Sequence, residues 1–85
     1  MRTPPFGTAH AEVLLRITSG DYGESWSLLD GTALYESRAH TDTLCQGLVR
    51  QGFLHETLQG TTPLYTVTTA GRRKAKELRE YRGYF

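Results

Sequence analysis

Four side chains are suited by type to hold a metal: His10, His40, His55 and Cys45. They are scattered along the chain and match no zinc-ligand spacing. A single cysteine excludes an internal disulfide, which fits a reducing cytosol. The carboxylates Asp21, Glu24, Asp30 and Glu36 fall near expected turns and helix ends, where they serve as caps and solvated charges rather than as an acid/base pair. No glycine-rich loop cradles a phosphate, and no Ser or Cys stands in a nucleophile motif. An enzyme needs a cleft with perturbed titratable groups, and these residues assemble none, so neither catalysis nor a cofactor is expected. The remaining chemistry is ionic. Arg72, Arg73, Lys74, Lys76 and Arg79 crowd one short segment. They are phosphate contacts, each releasing counterions, or a solvated face partly paired with Glu77 and Glu80.

The charge balance sharpens that choice. Ten Lys and Arg oppose nine Asp and Glu, a net charge of +1, which is not the profile of a strongly basic nucleic-acid binder. The total hides an asymmetry. Residues 1–71 hold four basic and seven acidic residues, a balance of −3, and residues 72–85 hold six basic and two acidic, a balance of +4. A chain of 85 residues makes one domain. Its mean hydropathy of −0.47 fits a soluble globular protein. No apolar run approaches the ~18–20 residues that span a bilayer, and the start lacks the apolar core of a signal peptide. These features predict a cytoplasmic protein without membrane contact.

The elements that must position these residues follow from periodicity. Pro4 and Pro5 make residues 1–7 an extended tail before a domain over 8–85. Ala11, Leu14, Leu15 and Thr18 recur at helical spacing and predict a helix over 8–19, with Thr8 as N-cap and Gly20 at its end. Residues 21–37 admit two readings. Ser25 can cap a short helix carrying Trp26, Leu28 and Leu29, weakened by ~1 kcal/mol at Gly31, or a short strand lies near 24–27. Thr41, Leu44, Cys45 and Leu48 predict a helix over 38–51, stopped by Gly52. Alternation and β-forming residues predict a hairpin over 53–68, with Gln59–Pro63 as its loop. Thr68 then caps a last helix over 69–82, with Gly71, Ala75 and Leu78 on one face. Trp26 is expected as a core anchor and Cys45 as a small buried hydrophobe.

Two linked motifs carry the most information. Leu44-x3-Leu48-x3-Gly52-Phe53-Leu54 leads into the hairpin, and Tyr65-x-Val67-Thr68-x-x-Gly71 leads out of it. Over residues 41–80 this resembles winged helix-turn-helix transcription regulators, in particular the MarR- and PadR-like groups. The resemblance implies an α+β fold with a three-helix core, a two-stranded wing and a C-terminal helix. It implies that residues 38–51 are a recognition helix in the major groove of double-stranded DNA. Its outward positions would then be Arg38, His40, Thr41 and Thr43, with Gln46 one turn on. Arg can pair with guanine and Gln with adenine, and Thr reaches bases or phosphates. Gln59, Thr61 and Thr62 would form the wing tip, and Arg72, Arg73 and Lys76 would anchor phosphates. Related folds often dimerise through the last helix, which points to a homodimer contact at Leu78, Tyr81, Tyr84 and Phe85. Three departures stand out: the second helix lacks a Leu-Ala pair, the wing loop carries no Arg or Lys, and Asp42 places an anion in the recognition helix. They motivate the alternative of a winged-helix protein-interaction module that does not bind DNA.

Overall fold

The computed structural model describes residues 8–19, 23–29 and 31–82, with residues 81 and 82 described by backbone alone. The expected tail of residues 1–7, the Gly20 helix stop, Tyr84, Phe85 and the side chain of Tyr81 lie outside the described residues. Helix α1 (Thr8–Ile17) is followed by strand β1 (Ser25–Ser27), helix α2 (Arg38–Arg50), strands β2 (Leu54–Gln59) and β3 (Thr62–Val67), and helix α3 (Thr69–Arg82). Among the described residues the architecture is therefore α+β and winged-helix-like, with three helices and an antiparallel three-stranded sheet in the order β1-β3-β2.

The short helix weighed for residues 25–35 is not formed. The strand reading holds instead, and its cause lies far along the chain. Ser25, Trp26 and Ser27 pair with Thr66, Tyr65 and Leu64. Trp26 is buried and stacks on Tyr65 with ring centroids 6.3 Å apart and 18° between planes. Its Nε1 donates to the Thr32 carbonyl at 2.8 Å. Gly31 does not merely weaken a helix here. A Cβ at that position would overlap the indole, so the glycine lets the chain fold over Trp26. The chain then reaches α2 without a helical turn, and buried Leu34 plugs it into the core.

Trp26, Leu54, Tyr65 and Val67 share the sheet face that meets the helices, packed with Val13, Leu14, Ile17, Leu44, Cys45, Leu48 and Ala75. Helix α1 is central to this arrangement, because both α2 and α3 pack on it. Thr8 is already helical rather than a cap.

The two motifs around the hairpin interlock physically. Gly52 takes φ +86°, its N–H donates to Val49 O, and the Phe53 N–H reaches back to Leu48 O. This is the left-handed helix ending that glycine permits. Thr68 Oγ1 donates to Gly52 O at 2.7 Å and accepts the Gly71 N–H at 2.9 Å. One hydroxyl thus caps α3 and ties it to the turn that ends α2. A Cβ at Gly71 would collide with the Phe53 carbonyl oxygen, so close packing requires glycine there. The hairpin loop is shorter than Gln59–Pro63: Gln59 pairs with Thr62, leaving only Gly60 and Thr61 to turn. Gly60, at φ +66°, supplies the positive φ that a two-residue hairpin needs.

Candidate nucleic-acid interface

Helix α2 begins at a built cap. Ser37 is extended, and its Oγ accepts the His40 N–H at 3.1 Å. Leu44, Cys45 and Leu48 turn inward, which leaves a polar outer face for contact. Arg38, Thr43 and Gln46 are exposed on this helix. Arg38 Nη1 lies 3.5 Å from Leu28 O, and the Thr43 hydroxyl donates to Ala39 O at 3.1 Å. His40 is half-buried. Its Nδ1 lies 2.8 Å from Glu36 Oε1, and the Tyr35 ring meets it edge-on at 5.3 Å.

Thr41 is a correction. Expected among the outward positions, it is fully buried. Its Oγ1 accepts the N–H groups of Leu34 and Tyr35, at 3.0 and 3.2 Å, and donates to Ser37 O at 2.8 Å. The hydroxyl serves the backbone of the loop before α2 and has no path to a ligand. Arg50 was missed by sequence reasoning. It is exposed four residues after Gln46 and so extends the same face, a spacing legible in the sequence. Burial foremost, then the charges of Arg50 and His40, hold His10 below the usual histidine range, which keeps it neutral behind this face.

The other candidate residues sit on separate elements. Gln59 and Thr61 are exposed at the wing tip and Thr62 is half-buried. On α3, Arg72 grips Glu24 through two nitrogens, with Nη2 2.8 Å from Oε1 and Nε 3.1 Å from both oxygens. Its partner holds the Glu24 carboxyl below its ordinary value. Lys74 pairs with Glu77 at 3.1 Å, and Arg79 donates to Thr18 Oγ1 at 2.9 Å. Arg73 and Lys76 remain exposed. The basic run is therefore partly committed to holding α3 against α1 and β1. Leu78, expected at a dimer contact, is half-buried against the chain's own core.

No known protein family, curated protein or solved structure matches the chain. Among the described residues, no group of three or more His, Cys, Asp or Glu is placed to hold a metal ion, and no helix is long and apolar enough to cross a membrane.

Beneath the helix, Asp42 accepts the Tyr65 hydroxyl at 2.8 Å and Gln46 Nε2 at 3.1 Å. Burial, followed by the Asp42 charge, pushes the Cys45 thiol up to about 12. Burial and the hydrogen bond to Asp42 raise the Tyr65 phenol as well. Both groups are neutral in the folded state at neutral pH and ionise more readily when unfolded. Their contribution to stability is complete below the unfolded values near 9 and 10, and is lost as pH rises through the folded ones. Urea midpoints should fall between about pH 8 and about pH 10.5, and Tyr65→Phe should reduce that fall. Equal alkaline losses in both proteins would show that the phenol contributes nothing.

Proposed function

We propose that this chain is a sequence-specific, double-stranded DNA-binding protein of the winged-helix type, a small transcription regulator akin to the MarR- and PadR-like groups. The observation that carries the reading is the outer face of α2, where Arg38, Thr43, Gln46 and Arg50 stand exposed on a helix whose opposite side is core. Their donors and acceptors match base edges and phosphates, and strand β2 of the hairpin packs against the same helix. Arg73 and Lys76 supply additional phosphate contacts, and Arg72 joins them where Glu24 releases it. The protein binds without catalysis. As a homodimer it would recognise near-palindromic half-sites ~34–36 Å apart.

Selection of bound duplexes from a random pool, followed by affinity titration against salt, tests this. Affinity should fall steeply from ~50 to ~200 mM salt. Arg38→Ala should weaken binding to all duplexes, and Gln46→Ala should relax the preference at one base pair. Absence of binding at ~50 mM salt overturns the proposal. One observation favours a second reading, a protein-docking module. Leu29 and Leu58 are 69% and 63% exposed, and the tip between β2 and β3 carries no charge. That reading predicts no duplex affinity, and a protein complex lost on Leu58→Ser.

A further inference from the structure

Asp42 is the only acid in α2, and a carboxylate on a DNA-facing helix repels phosphate. Both of its oxygens are engaged elsewhere. Oδ1 accepts from Tyr65 and Oδ2 from Gln46. A Gln–Asp pair one turn apart is by itself a weak surface contact. This pair is anchored from a second element. Tyr65 lies on β3, its ring fully buried and stacked on Trp26, so its hydroxyl is a donor in a fixed place.

The chemistry of the three groups then determines how Gln46 is presented. An ionised carboxylate only accepts, whereas a side-chain amide offers either a donor or an acceptor end. With Asp42 held by Tyr65, the amide nitrogen of Gln46 must face the carboxylate. The same nitrogen also serves the Tyr65 oxygen, which leaves Oε1, an acceptor, as the end turned away from both. In the major groove an acceptor is matched by an exocyclic amino donor, N6 of adenine or N4 of cytosine, and is refused by the oxygens of guanine and thymine.

We propose that Tyr65 and Asp42 are positioning residues that fix the orientation of the Gln46 amide, so that α2 selects a base with an exocyclic amino donor, adenine or cytosine, at one position of its site. This rests on the DNA-binding reading above. Asp42 is then no defect in the recognition helix. Its charge is turned inward onto two donors, and its effect on DNA passes through Gln46.

The test compares wild type, Gln46→Ala, Tyr65→Phe and the double variant on four duplexes that differ only at the base pair whose preference Gln46→Ala removes. Tyr65→Phe keeps the stacked ring and removes only the hydroxyl, and cooperative thermal unfolding confirms its fold. Its preference for the amino-bearing base should drop on the order of five- to tenfold, with the salt dependence unchanged. In the Gln46→Ala background the same change should alter nothing further. Asp42→Asn, which lets the glutamine amide turn either way, should also relax the preference while raising overall affinity. Undiminished preference in Tyr65→Phe, an equal effect of Tyr65→Phe without Gln46, or no base preference removed by Gln46→Ala overturns the inference and leaves DNA binding standing. Failure of the wild type to bind any duplex removes the DNA reading itself, and is seen before any variant is made.

Discussion

Trp26→Ala is expected to cost about 3–5 kcal/mol of stability, the range for truncating a buried aromatic. Roughly 0.05–0.15 kcal/mol per residue is all that holds a domain together, so a chain of 85 residues loses a large share of its margin. Three contributions disappear together. The indole is 2% exposed, and its removal leaves a void between β1 and the helices. The stack on Tyr65 is lost, as is the Nε1 bond to Thr32 that fixes the approach to α2. Gly31 leaves no side chain at hand to fill the space. Trp26→Phe keeps much of the stack and loses the hydrogen bond, so it should cost less, about 1–2 kcal/mol. Urea unfolding followed by far-UV circular dichroism reads both. A Trp26→Ala midpoint equal to that of the wild type would show that the indole is not the anchor of this sheet.

The same residue marks where sequence reasoning reached its limit. Helix α2 was legible because Thr41, Leu44, Cys45 and Leu48 repeat within one helix and Gly52 stops it, all local signals. The hairpin and the Thr68 cap were legible for the same reason. Residues 25–37 carry no such signal. Ser-Trp-Ser alternates, but three residues are too few to set a period. The strand exists because Trp26 pairs with Tyr65, thirty-nine positions away. Leu28, Leu29, Ala33, Leu34 and Tyr35 have the composition of a helix, yet the chain forms a strand at Ser25–Ser27 and no helix between it and Arg38 among the described residues. Tertiary packing decided this segment over local propensity.

The candidate site divides along the same line. Residue type gives the chemistry a side chain is capable of, and the fold decides what that chemistry is spent on. Arg72 has the charge to hold a phosphate but is gripped by Glu24, forty-eight residues earlier in the chain. Asp42 has the charge to repel one but is turned onto Tyr65 and Gln46. Neither partnership has a local signature. Arg38, Thr43 and Gln46, outward positions implied by the winged-helix resemblance, are exposed, and helical spacing one turn beyond Gln46 reaches Arg50.

Thr41 is where sequence pattern and fold diverge most, and Thr41→Val is expected to cost about 2–3 kcal/mol. The residue satisfies two demands of the sequence at once: it belongs to the apolar stripe of α2, and it is polar enough to read DNA. The structure assigns it to the stripe, with its hydroxyl facing a loop. Valine matches its shape and adds a buried methyl group, a gain of ~0.8 kcal/mol. It also strips the acceptor from the N–H groups of Leu34 and Tyr35. A buried amide left without a partner costs ~1–3 kcal/mol, and the Leu34 bond lies wholly inside the protein. The loss of two such bonds exceeds the gain from the methyl. Thr41→Ser keeps the hydroxyl and gives up only the methyl, so it should cost about 1 kcal/mol. This ordering, serine milder than valine, reverses what burial of apolar surface alone would produce. Urea midpoints of the two variants decide it. DNA affinity, measured where both variants remain folded, should match wild type if Thr41 acts only through the fold. A valine variant as stable as wild type but weaker on DNA would return Thr41 to the contact face.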